Sequence, residues 1–210
     1  MTIQKIKEKA LENHIPIIMD DTLEKLEELL KEVKPKNLLE IGAAVGYSAI
    51  CFEKYVSEKI DTIEQDEERI LEAEQNIKGL NLNNKINLIK GNAVEILQNM
   101  EIKKEDEKYD FVFIDAAKSK YPIFLDESLR LTTKNAIIVA DNVLYKGYVL
   151  GDYNKHKQRT AVRHLREFLQ MISENESLES EILEIGDGLA VIRKKWKNNK
   201  RTHTICLKKI

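Results

Sequence analysis

With 210 residues, 42% of them apolar, and a formal net charge of −2, the chain is large enough for one sizeable core and too short for two comfortable domains. The near balance of 34 basic and 36 acidic side chains argues against a molecule drawn as a whole to nucleic acid. Two cysteines, Cys51 and Cys206, supply neither a disulfide framework nor a metal-ligand spacing, and no apolar run reaches the length of a signal core or a membrane span. The sequence therefore reads as a cytoplasmic protein with no membrane attachment.

In chain order, Leu23, Leu26, Leu30 and Val33 form one helical stripe that stops before Pro35, so the domain starts with helices. Strands then alternate with helices: strand 37–41, helix 46–56, strand 59–63, helix 67–78 and strand 85–89. A helix from 93, strand 109–114, a helix from 121 and strand 136–140 continue the pattern. Such alternation calls for parallel strands joined by crossover helices, an α/β sheet with helices on both faces. After a helix over 160–172, two alternating segments, 178–185 and 189–193, are joined by Gly186-Asp187-Gly188, a hairpin signal. The sheet is thus expected to be mostly parallel and to end antiparallel, whereas a Rossmann dehydrogenase closes on another parallel strand. This Rossmann-like layout resembles class I methyltransferases. The charged stretch 101–108 reads as a solvated loop.

The most informative stretch is Leu38-Leu39-Glu40-Ile41-Gly42-Ala43-Ala44-Val45-Gly46-Tyr47-Ser48: a buried strand, a glycine turn, then a helix start. Glu64 ends the next strand, where an acid accepts hydrogen bonds from ribose hydroxyls, and Glu40 and Glu64 are expected to bracket one crevice. The spacing G-x-x-x-G differs from the G-x-G-x-x-G that seats a pyrophosphate on a helix N-terminus. A crevice rimmed by carboxylates suits the sulfonium cation of S-adenosylmethionine, where phosphate would be repelled. The competing reading is an ordinary strand-Gly-helix junction of some other α/β fold.

Asp115 follows strand 109–114, and Asp141-Asn142 follow strand 136–140, at the carboxyl ends where open α/β sheets bind ligands. Two carboxylates and an amide oxygen suit a Mg²⁺-like cation that holds an acceptor through adjacent oxygens and eases ionisation of its hydroxyl. Alternatively, Asp141-Asn142 caps a turn and Asp115 caps the next helix. Lys118 stands one short turn beyond, where a nearby cation and partial burial would lower its pKa toward that of a general base.

Five stretches carry a closer resemblance: Ile15-Pro16-Ile17, Glu40 to Ser48, Asp115-Ala116-Ala117-Lys118-Ser119-Lys120-Tyr121, Asp141 to Gly147, and Ile185-Gly186-Asp187-Gly188-Leu189-Ala190. Together they resemble the cation-dependent O-methyltransferases of the catechol and caffeoyl-coenzyme A type, and within them the bacterial tRNA 5-hydroxyuridine methyltransferases. The likeness implies one methyltransferase domain over 1–195; the basic tail 196–210 lies outside it and is expected to be flexible. It implies metal ligation by Asp115, Asp141 and Asn142 and proton removal by Lys118. It also implies a cofactor site of Ile17, Gly42, Tyr47, Ser48, Glu64, Asn92, Ala93 and Asp115, and a homodimer. Related sequences carry Gly-Asp-Ala where this chain has Gly91-Asn92-Ala93, so an adenine-edge contact passes from a carboxylate to an amide.

5-Hydroxyuridine presents its hydroxyl beside a ring carbonyl and chelates a cation much as a catechol does. A tRNA anticodon loop also needs phosphate contacts. From 143 to 170 the chain is locally basic, with Lys146, Lys155, Lys157, Arg159, Arg163 and Arg166 against only Asp152 and Glu167. Arg159, Arg163 and Arg166 fall at i, i+4, i+7 beside an apolar stripe of Val162, Leu165, Leu169 and Ile172, a basic ridge on a core-packed helix. Lys146 and those arginines are the expected tRNA contacts, and Tyr145 and Tyr148 could stack on a splayed base. A solvated helix face and two half-buried tyrosines remain the plain alternative. Two further functions stay open: methylation of a small catechol or phenylpropanoid, and a non-catalytic tRNA-binding module.

Overall fold

The computed structural model describes residues 1–151 and 158–195. Lys155, Lys157 and the basic segment 196–210 lie outside the described residues. Five parallel strands follow the expected alternation: β1 (Asn37–Ile41), β2 (Lys59–Glu64), β3 (Ile86–Lys90), β4 (Tyr109–Ile114) and β5 (Thr132–Ala140). The closing hairpin, β6 (Leu178–Leu183) and β7 (Leu189–Lys194), inserts β7 antiparallel beside β5, giving a seven-stranded sheet in the order β3-β2-β1-β4-β5-β7-β6. The α/β reading and the antiparallel end are as the sequence led one to expect.

Strand residues alternate between two apolar layers, as a pleated sheet covered on both faces requires. Leu38, Phe111, Phe113, Val139 and Val191 pack toward α1 (Ile3–Glu12), α2 (Asp20–Val33), α3 (Tyr47–Phe52) and α4 (Glu67–Gly79). Leu39, Ile41, Val112, Ile114, Ile138 and Ile192 pack toward α5 (Ala93–Asn99), α6 (Tyr121–Leu131) and α7 (Arg159–Glu174). On α7 the buried stripe is Val162, Leu165, Phe168 and Ile172, which leaves the arginines outside. No described helix is long and apolar enough to cross a membrane.

Two boundaries differ most from expectation. Strand β5 starts at Thr132 because α6 runs straight into it: Thr132 Oγ1 donates back to the Ser128 carbonyl at 2.7 Å, and Lys194 Nζ donates to the Thr132 and Thr133 carbonyls. Helix α3 stops at Phe52, and a 3₁₀ turn over Glu53–Tyr55 replaces its last turn.

Candidate active site

The turn after β1 brings three strand tips together. Gly42 (φ +104°) and Ala43 both donate their N–H to the Ile63 carbonyl, at 3.0 and 2.9 Å, which folds the turn onto β2. A Cβ on Gly42 would stand 2.1 Å from the Asp115 carbonyl oxygen, so β1 and β4 can approach this closely only through a residue without a side chain. Glu64 receives three main-chain donors, from Ala44 (2.8 Å), Gln65 (2.8 Å) and Asp66 (3.0 Å), which fix its carboxylate at the tip of β2.

Glu40 corrects the expectation that two acids bracket the crevice. Strand alternation turns its side chain under the glycine turn, fully buried, where it accepts from Ser48 Oγ and Thr62 Oγ1. Burial pushes its pKa up to about 7, against the two hydroxyl donors, and the charges of Asp115 and Glu64 push the same way. Between the ordinary value of 4.5 and about 7, the folded protein keeps a proton the unfolded chain has released, so stability falls as pH rises through that window. Glu40→Gln is expected to flatten this decline in urea unfolding compared at about pH 5 and about pH 8. An undiminished slope would assign the decline to other groups.

Above this turn lies a cavity of about 380 Å³, within the roughly 300–1,000 Å³ range of small-molecule sites. Ile17, Gly42, Tyr47, Ser48, Glu64, Asn92, Ala93 and Asp115 all line it, joined from the α1–α2 connection, β1, α3, β2, α5 and β4. Asn92 is the N-cap of α5, its Oδ1 accepting from the N–H groups of Val94 and Glu95 at 3.0 and 3.4 Å, so its oxygen already serves the helix. Arg69, Lys120 and Phe124 also line the cavity. Arg69 and Phe124, single residues within a charged and an apolar run, carried no signal in the sequence, and Lys120 stood in a resemblance motif without a role.

On the next pair of tips, the register Ile114↔Ala140 sets Asp115 beside Asp141, and the Asp141 N–H donates to the Ile114 carbonyl at 2.9 Å. Asp141 is 2% exposed, and among the described residues its carboxylate accepts only the Asn142 N–H, at 2.6 Å, in a turn that holds Asn142 at φ +54°. Burial raises its pKa to about 7, and the Asp115 charge adds to the push. Lys118 Nζ donates to Asp115 Oδ1 (3.0 Å) and Tyr121 Oη (2.9 Å), while Tyr121 Oη donates to the Asp141 carbonyl (2.8 Å). Burial alone would lower the Lys118 pKa, but Tyr121 and Asp115 outweigh it and hold the ammonium protonated.

Among the described residues no three His, Cys, Asp or Glu side chains gather at one point. Asp115, Asp141 and Asn142 nevertheless fit a hard divalent cation: their donors are all oxygen, and Asp141 is a buried carboxylate whose proton affinity is raised, with no salt bridge among the described residues.

The basic face is assembled in part. Lys146, Arg159 and Arg163 are exposed, and Arg163 reaches His164 (3.2 Å) and Glu167 (3.8 Å). Arg166 has another job: its guanidinium donates to the carbonyls of Val149 (3.1 Å), Tyr148 (3.4 Å) and Gly151, pinning that segment to α7. The side chain read as a phosphate contact is therefore spent largely on main-chain carbonyls. Tyr145 and Tyr148 pack edge to face, centroids 5.9 Å apart.

The family model described as O-methyltransferase matches residues 1–195. The chain belongs to the O-methyltransferase family. This O-methyltransferase is 29% identical over 177 residues to the catechol O-methyltransferase of Niastella koreensis, across 80% of this chain and 78% of that one. A Staphylococcus aureus structure provisionally described as a caffeoyl-CoA O-methyltransferase is 32% identical, with a TM-score of 0.84 and 93% of each chain covered. The O-methyltransferase of Bacillus cereus, solved in complex with SAH, is 26% identical, with a TM-score of 0.82 over 92% of this chain and 90% of that one.

Proposed function

We propose that this O-methyltransferase transfers the methyl group of S-adenosylmethionine to the 5-hydroxyl of 5-hydroxyuridine at the wobble position of a tRNA anticodon loop, giving 5-methoxyuridine. One observation carries the reading: Asp115 lines the nucleoside-sized cavity and directly follows Ile114, the register partner of Ala140, which Asp141 follows, so a cofactor in the cavity and an acceptor at the acid pair share one wall. The SAH held by the Bacillus cereus relative supports an adenosyl ligand for the cavity. Glu64, its carboxylate already oriented, would take the ribose hydroxyls, while Ile17 and Ala93 supply apolar contact.

When bound by Asp115, Asp141 and Asn142, a Mg²⁺-class ion supplies a Lewis acid for the acceptor oxygens and a counter-charge for the two carboxylates. Lys118 is the group in place to receive the acceptor proton, once its ammonium has parted from Asp115 and given up a proton to solvent, leaving the neutral amine. The methyl group then passes from sulfur to oxygen as the C–S bond breaks and the C–O bond forms.

Resemblance across five motifs favours tRNA, and the exposed Lys146, Arg159 and Arg163 supply phosphate contacts. The names of the relatives favour a second reading, a small catechol or phenylpropanoid acceptor at the same acid pair. Incubation with tRNA lacking 5-methoxyuridine, with catechol as competitor, separates the two; absence of RNA methylation with Mg²⁺ present would sink the tRNA reading. Arg163→Glu is expected to weaken tRNA use about tenfold at low salt and to reduce the salt slope by about one, with cofactor affinity unchanged. Equal loss of cofactor binding would point to misfolding instead.

A further inference from the structure

The segment that follows the acid pair adopts a backbone its own sequence disfavours. Tyr145, Lys146 and Gly147 stand consecutively at φ +45°, +56° and +74°, and the first two carry a Cβ. Such a run persists only where its surroundings over-determine it. The surroundings are the β6–β7 hairpin turn. Asp187 Oδ1 accepts the Lys146 N–H at 2.5 Å, the Asp187 carbonyl accepts the Leu144 N–H at 3.0 Å, and the Gly188 carbonyl accepts the Val143 N–H at 2.9 Å. A Cβ on Gly188 would lie 2.3 Å from Leu144 Cγ, so the two loops are in direct contact.

The hairpin turn is itself braced from behind. The Gly186 N–H donates to Asp21 Oδ2 at 3.1 Å, and a Cβ on Gly186 would meet Thr22 Oγ1 at 2.5 Å. At its far end the segment is held by Arg166, through the carbonyls of Tyr148, Val149 and Gly151. Between these anchors sits the edge-to-face pair of Tyr145 and Tyr148, directly downstream of Asn142.

We infer that Asp187 is a positioning residue for the acceptor: by holding the Lys146 amide it fixes the left-handed turn that sets the tyrosine pair as an aromatic wall beside the acid pair. The clamp stands on geometry alone, whereas its role toward the acceptor rests on the functional reading above. Asp187 also contributes negative charge at Asp141, so a purely electrostatic role is the rival to exclude.

Asp187→Ala removes the acceptor of the hydrogen bond, while Asp187→Asn keeps an oxygen there and removes the charge. Amide exchange by NMR, SAH affinity, and KM and kcat for the acceptor that the wild type methylates are measured for both. In Asp187→Ala the Lys146 amide is expected to exchange at least about tenfold faster, with the Leu144 amide, held by a main-chain carbonyl, unchanged. KM for the acceptor should rise about tenfold, with SAH affinity within about twofold of wild type, and Asp187→Asn should restore both exchange and KM. Unchanged exchange at Lys146, an Asn variant as defective as the Ala variant, or SAH affinity falling together with acceptor use would overturn the inference. Faster Lys146 exchange in an enzyme whose wild type methylates neither tRNA nor catechol would leave the clamp standing and remove both the functional reading and the acceptor role.

Discussion

Gly42→Ala is expected to be the most damaging single-methyl change in the site, with a stability loss of roughly 3–5 kcal/mol in urea unfolding. Two causes act together. The backbone sits at φ +104°, which an L side chain tolerates poorly, and the new carbon would fall 2.1 Å from the Asp115 carbonyl oxygen. Neither atom belongs to a flexible side-chain end, so relief must come from parting β1 and β4. That movement breaks the Asp115 N–H bond to the Ile41 carbonyl (3.0 Å) and opens the floor of the cavity. Cofactor affinity should fall with stability. Gly147, around which nothing lies within 4 Å of a Cβ position, is the control: alanine there meets only its φ of +74° and should cost about 1–2 kcal/mol. Equal losses at both positions would show that close approach contributes little at Gly42.

Asp141→Ala is expected to lower methyl transfer by at least about 10²–10³, the scale of removing one electrostatic stabiliser, while leaving cofactor affinity close to wild type. Asp141 is not among the cavity-lining residues, so the loss should fall on the chemical step. Stability in the absence of metal should hold or improve, because the deleted carboxyl is buried and its pKa is pushed up to about 7 by that burial. Thermal unfolding with and without Mg²⁺ adds a check that needs no turnover: the wild type should be stabilised by the cation and the variant should not. Retained activity, or a retained Mg²⁺ response, would remove Asp141 from the proposed ion site. Asp115→Ala contrasts with it, since Asp115 lines the cavity and pairs with Lys118, and both binding and turnover should suffer.

Alternating apolar runs and helical stripes were enough to reveal the alternation of strands and helices and the antiparallel ending, because each depends on local periodicity, whereas the set of eight cavity-lining residues was legible only through the resemblance. What stayed hidden depends on direction and on neighbours distant in sequence. Glu40 sits two residues before Gly42, and only the phase of the pleat decides that it points beneath the turn rather than into the crevice. Lys118 reads as a base held near a cation, and what its spacing does not announce is that without a cation its proton is stabilised by two partners, one of which, Tyr121, lies on the following helix. Arg166 shares its helical face with Arg159 and Arg163, and nothing in that spacing announces the carbonyls 15 to 18 residues earlier that claim its guanidinium.

One wall of the cavity, Pro16 to Ile18, comes from the connection between the first two helices, and the others from residues 42 to 124. A molecule lodged there therefore works as a rivet, tying the connection between the first two helices to the sheet. At a hundredfold excess over Kd that tether is worth about 2.7 kcal/mol. Its protective effect should be greatest against proteases attacking the chain's first two helices.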